Sequence, residues 1–474
     1  MTMKRTASIS MILLTGILTV FSLSSFYIKK DNTSTQPDDD PISYRSSGKQ
    51  TRSAGNISLS TGFENDYYTR TNRVGHFYAE LQAGNKQNVE NKHIPLNISV
   101  VIDRSGSMSG DKIRNAKQAA KYIVDQLSPE DYFSVVIYDQ TVDVIHEASR
   151  VENKQSIKLK IDRIVDRGST NLMGGAMKGY EQVKRNYRSN YINRVLLLSD
   201  GLANEGITKP NEIERIIRSK NINDGVSIST FGVGNDYNED LMTAMAETGT
   251  GNYYFISNAQ DIASIFKKEL NGLMDVLAQQ TELLVTIPDF VNVDKVYGYK
   301  YTQEGRTLRI KFHDVFAQET KGVLIRYSVD ANRNMAVRFD AKLTYMDAVY
   351  GIPRSLNLNT KCDYTDNRSQ YFESYSEWVA AQVALYESNE KLELAMREVD
   401  KGNYTEAKKM VQENKDYMKS KAPLVQKSVE LKKAESMNSS YDVQLSNVES
   451  MQEEDVKYMQ KASKSSNYQI RNKK

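Results

Sequence analysis

Between residues 95 and 281 short apolar runs alternate with stretches of helical spacing. Val195 to Leu198 is an unbroken apolar run, as a buried parallel strand requires, and Leu96 to Ile102, apolar except for Asn97 and Ser99, reads as another buried strand. Between them Ile113, Ala116, Ala119, Ala120, Ile123, Val124 and Leu127 keep to one helical face, and Ser128-Pro129 ends that helix. Strands are predicted at 132–138, 142–145, 226–233 and 253–256. Helices are predicted at 154–166, 172–186, 210–220, 238–247 and 259–279. Strands alternating with helices predict an α/β fold, a doubly wound and mostly parallel sheet covered on both faces.

The pattern changes on either side. Residues 282–360 read as strands without intervening helices, with a period of two in Thr307-Leu308-Arg309-Ile310-Lys311-Phe312. They predict an antiparallel β domain, joined by strands within 56–94, so that the α/β unit at 95–281 is inserted into a β-sandwich. From 370 to 436 the spacing is helical: Phe372, Tyr375, Trp378, Val379 and Val383 share a face, and Lys401-Gly402-Asn403 marks the turn of a helical hairpin. Residues 437–474 are polar and read as a frayed tail, and residues 31–55 as a disordered linker.

The first thirty residues stand apart. Lys4 and Arg5 precede a stretch from Ile9 to Ile28 without a single charge. It reads as a signal peptide or a membrane anchor, and places the rest of the chain outside the cytoplasm. The 474 residues otherwise have the composition of a soluble protein, 39% hydrophobic and 26% charged. A net charge of +3 gives no case for nucleic-acid binding. Cys362 is the only cysteine, so it has no partner for an internal disulfide or a thiolate metal site, and it reads as incidental.

The candidate chemistry lies where the predicted strands end. Asp103-Arg104-Ser105-Gly106-Ser107 follows the first strand of the α/β unit and puts one carboxylate and two hydroxyls on a tight loop. Thr170 sits in the loop Gly168-Ser169-Thr170-Asn171 before a helix, and Asp200 ends the most apolar strand. Ligands gather at the carboxyl ends of strands in open parallel sheets. Oxygen donors of mixed charge suit a hard divalent cation. Asp is also favoured as a helix cap, which stays open as a plain reading of Asp103 and Asp200. His76, His93, His146 and His313 are scattered, and no His-Glu-x-x-His, Gly-x-Ser-x-Gly or Gly-x-x-x-x-Gly-Lys-Ser/Thr occurs. An enzyme has no residues to stand on here.

With Asp-x-Ser-x-Ser, Thr and Asp in that order, residues 95–281 resemble a von Willebrand factor A (VWA) domain with a complete metal-ion-dependent adhesion site. The resemblance implies that Asp103, Ser105, Ser107, Thr170 and Asp200 reach one Mg²⁺ (or Mn²⁺ or Ca²⁺), directly or through water. It also implies that an Asp or Glu of a protein partner completes the metal's shell. The flanking β structure and helical C-terminal region are similar to exported or membrane-anchored bacterial proteins of this class. Inter-alpha-trypsin-inhibitor heavy chains likewise surround their A domain with β structure. The expected function is metal-dependent protein binding, as adhesion or scaffolding, in the bacterial envelope. That means the periplasm or the cell surface, with the membrane reached only through the N-terminal segment. The alternative is a structural or regulatory subunit of an envelope complex whose metal only stabilises the loops.

Overall fold

The apolar runs become one six-stranded sheet in the computed structural model, which describes residues 42–45, 48–85, 94–312 and 314–473. The N-terminal apolar segment, residues 31–41 of the expected linker, His93 and His313 lie outside the described residues. The strand order is Thr250–Ile256, Ser227–Val233, Ile192–Ser199, Leu96–Asp103, Tyr132–Tyr138, Val142–Arg150. All pairings are parallel except the last, which is antiparallel. Alternate side chains enter opposite layers. Ile98, Val100, Leu196 and Leu198 pack under the helices Asp111–Gln126, Lys154–Asp162 and Ile262–Met274. Val101, Val195 and Leu197 pack under Leu172–Arg185, Pro210–Asp224 and Glu239–Thr248. From strand 96–103 the chain first moves to one side, to 132–138, and then crosses to 192–199 on the other. Strands 96–103 and 192–199 are neighbours, so the topological switch point falls between their carboxyl ends, where Asp103 and Asp200 stand.

This unit is inserted between two strands of a sandwich. One sheet contains Gln50–Ala54, Ile57–Phe63, Val74–Ala83, Thr320–Val329 and Val291–Tyr297. The other is built on Val276–Thr286, Val337–Asp347 and Ile352–Tyr364. Phe63, Phe77 and Ile325 of the first meet Leu283, Ile310 and Phe339 of the second in a common core. Cys362 is buried there, and burial pushes its thiol up to about 12.

Four expectations are corrected. Residues 50–54, assigned to the disordered linker, form an edge strand on 57–63; its residues are mostly exposed, so no apolar alternation marks it. The helix expected over 259–279 stops at Met274, and Val276–Thr286 is a strand of the sandwich. Gln279 and Gln280 lie in a bulge inside that strand, with Gln280 at φ 50° and the register shifting between Gln279 and Glu282. The strand Ile352–Tyr364 runs past the expected end of the β domain at 360.

The fourth correction is the largest. Where a hairpin and a frayed tail were expected, the chain folds into the long helices Glu377–Asp400, Tyr404–Ser420, Val429–Asn447 and Glu453–Arg471. The last of these returns to the α/β unit and lies along its edge strand 250–256. Lys461 donates to the Tyr237 carbonyl (2.7 Å) and pairs with Glu239, which also accepts from Lys464 (2.8 Å). Burial raises the Glu239 carboxyl, but the hydrogen bonds and charges of the two lysines outweigh it and hold the group at about 2. Arg471 pairs with Glu247 of the α/β unit and Glu393 of the helical region. Among the described residues no helix is long and apolar enough to cross a membrane.

Candidate metal centre

Strand 96–103 delivers Asp103 fully buried at its carboxyl end, and the chain then turns through Gly106 into a short 3-10 turn, Gly106–Met108. The turn aims Ser105 and Ser107 at the same place, their hydroxyl oxygens 3.1 Å apart. The Ser105 N–H donates to Asp103 Oδ1 (2.8 Å) and the Ser199 hydroxyl to Asp103 Oδ2 (2.7 Å). From the neighbouring strand, Asp200 Oδ1 accepts from the Ser107 hydroxyl (2.7 Å) and Oδ2 from Lys112 Nζ (2.6 Å). The Thr170 loop closes the site. Its N–H donates to Asn204 Oδ1 (2.9 Å), and its carbonyl accepts from the N–H groups of Asn204 and Glu205. All five residues singled out from the sequence thus come together.

The donor set fits a hard divalent cation. A side chain on Gly201 would begin 3.0 Å from Thr170 Oγ1 and 3.7 Å from Ser107 Oγ. A bare backbone at residue 201 therefore keeps the space between these hydroxyls open. Burial pushes the Asp103 carboxyl up to about 6, with the Asp200 carboxylate adding to the rise and the hydrogen bonds from Ser105 and Ser199 opposing it. Lys112 offsets the charge of Asp200 but no cation pairs with Asp103 among the described residues, and a divalent ion would supply that compensation.

Sequence reading missed the residues that hold the loops. Arg104, buried beside Asp103, pairs with Asp139 (2.8 Å) and Asp143. Arg167 of the Thr170 loop donates to the same Asp139 oxygen (2.8 Å), and the Asp139 carbonyl accepts from the Asn171 N–H (2.8 Å). One buried carboxylate therefore ties the Asp103 loop to the Thr170 loop. Asp139 follows a strand end, as Asp200 does, and that position was the available signal. Lys112, Ser199 and Tyr138, whose hydroxyl lies 3.4 Å from Asp103 Oδ2, left none.

Burial raises Asp139, but hydrogen bonds from Thr141 and Arg167 and the Arg104 charge outweigh it and hold the carboxyl at about 2. A depressed pKa means that the unfolded chain takes up the proton first. The contribution is therefore complete above pH ~4 and is lost as pH falls from there to ~2. Asp139→Asn is expected to cost about 2 kcal/mol at pH 7 and to flatten the loss of stability between pH 4 and 2. Denaturant unfolding at the three pH values checks this; equal slopes for both proteins would refute it.

Comparison with known proteins agrees with the fold. Residues 97–268 match the family model described as von Willebrand factor type A domain. An uncharacterized protein of Escherichia coli, YfbK, is 31% identical over 218 residues, covering 45% of this chain and 37% of the relative. Human inter-alpha-trypsin inhibitor heavy chain H2 is 28% identical over 231 residues, 47% of this chain and 23% of the relative. The chain thus spans little more than a third of the first relative's length and about a quarter of the second's. A solved structure described as von Willebrand factor type A from Catenulispora acidiphila superposes with a TM-score of 0.64 at 17% identity, covering 83% of this chain and 91% of that one. It is alike in fold. No enzymatic family is indicated among these matches.

Proposed function

We propose that this chain, whose residues 97–268 form a VWA domain, is a metal-dependent protein-binding component of the bacterial envelope. VWA domains generally mediate metal-dependent protein interactions. In this reading Asp103, Ser105, Ser107, Thr170 and Asp200 hold one divalent ion, Mg²⁺ or a similar hard cation, directly or through water. The ion presents an open coordination position to an Asp or Glu of the partner. The observation that carries the reading is the meeting of the Asp103, Ser105, Ser107 and Asp200 side chains at the switch point of the sheet, with Thr170 brought to Ser107 over the bare backbone of Gly201. Leu202, two residues beyond Asp200, is 56% exposed and offers the partner an apolar contact beside the ion. The apolar N-terminal segment supports a place in the periplasm or on the cell surface, anchored to the membrane or released.

The alternative, a metal that only steadies the loops, is weakened by the Arg104–Asp139–Arg167 network, which ties those loops together by itself. Affinity capture from envelope extract, in Mg²⁺ and in EDTA, tests the choice. Binding to an acidic partner is expected in Mg²⁺ and not in EDTA. Leu202→Ser is expected to weaken that partner at least about tenfold while leaving metal binding unchanged. Equal capture in Mg²⁺ and EDTA would move the function to the flanking domains.

A further inference from the structure

Lys112 stands in the first turn of helix 111–126, where the helix dipole disfavours a cation. Its ammonium lies 2.6 Å from Asp200 Oδ2, and among the described residues Asp200 is its sole ion-pair partner. With the Ser107 hydroxyl on Oδ1, both oxygens of this buried carboxylate are engaged. The end of strand 227–233 closes over the contact, since a side chain on Gly234 would start 3.6 Å from the Lys112 nitrogen. The side chain is still 28% exposed and has a route to solvent.

We propose that Lys112 is an internal competitor of the divalent ion: it neutralises Asp200 in the metal-free protein, has to leave when the metal arrives, and thereby sets the metal affinity. This rests on the metal-binding reading above. A cation coordinated by Asp200 lies within a few ångströms of that carboxylate's other partner. At such a separation, in a site screened less than bulk water, a divalent and a monovalent charge repel strongly. The long, flexible lysine stem lets the ammonium swing outward and relieve the repulsion. Metal-free protein is then not left with two bare buried carboxylates, and the site fills only above a threshold concentration of the ion.

Mn²⁺ binding to the full chain, followed by the electron paramagnetic resonance of the free ion, tests this with wild type, Lys112→Met, Lys112→Gln and Lys112→Arg. The two neutral variants are expected to bind about tenfold more tightly, and Lys112→Arg to stay within about threefold of wild type. In EDTA the unfolding midpoint of the neutral variants is expected to fall below that of wild type, because Asp200 loses its counter-ion. In Mn²⁺ the order should reverse. Neutral variants that bind Mn²⁺ as wild type does, or more weakly, overturn the role of Lys112 while leaving the metal site standing. A wild type and neutral variants that all fail to take up Mn²⁺ overturn the metal-binding reading itself, and this inference with it.

Discussion

Tyr468→Ala is expected to cost about 3–5 kcal/mol of stability, the range for truncating a buried aromatic side chain. Tyr468 belongs to the C-terminal helix but is 2% exposed, inside the core of the α/β unit among Val226, Ile228, Met245 and Tyr253. Its ring meets the Tyr253 ring edge-on at 5.6 Å, and its hydroxyl accepts from the Tyr253 backbone N–H at 3.2 Å. That N–H belongs to the outermost strand of the parallel sheet, which has no neighbouring strand on its far side among the described residues. Removing the ring opens a cavity and also leaves a buried donor unsatisfied. Lys461→Met is expected to act in the same direction by leaving part of the Glu239 charge uncompensated. Urea unfolding of wild type and Tyr468→Ala, with hydrogen exchange along residues 250–256, measures the effect. A loss below about 1 kcal/mol, with the edge strand still protected, would mean that the helix merely rests on the domain.

Asp103→Ala is expected to weaken divalent-ion binding by at least about 100-fold, since changing even groups behind the ligands costs 10- to 100-fold. The fold should survive. The substitution strands the Ser105 N–H and the Ser199 hydroxyl, but it also removes a carboxylate whose burial disfavours its charge. The two effects oppose each other. Thermal unfolding reads both at once. With the ion bound as proposed, wild-type protein should gain about 2.7 kcal/mol when the ion is present at 100 times its dissociation constant. The variant should gain nothing at that concentration. A variant stabilised by Mg²⁺ as much as wild type would take Asp103 out of the site. The same variant should also lose any partner that wild type holds only in Mg²⁺.

How far such features were legible depended on whether the signal was local. Val195 to Leu198 lies in a strand covered on both faces, so the run is continuously apolar and marks a central strand. Asp103 and Asp200 were legible for a related reason: each stands at the end of a predicted strand, right after Ile102 and one residue past Leu198, and strand ends in a parallel sheet converge. The end of the strand Ile352–Tyr364, past residue 360, was overlooked although Leu356, Leu358, Thr360 and Cys362 alternate with exposed residues. That signal was available. The C-terminal helix differs, because its buried face includes Ser463, Ser465 and Asn467, which no hydrophobic pattern selects.

The amino-acid sequence by itself determined the periodicities, and with them the α/β unit, its insertion into β structure and the order of the five oxygen donors. Each of these depends on residues close in the chain, whose spacing is imposed by backbone geometry alone. Only the tertiary structure decided which charges meet. Arg104, Asp139 and Arg167 form one network across three loops, Lys112 reaches Asp200 across 88 positions, and Lys461 finds Glu239 across 222. A lone lysine or aspartate is equally at home in water. It acquires a partner only when the packing of distant elements removes the water and leaves one opposite charge within reach.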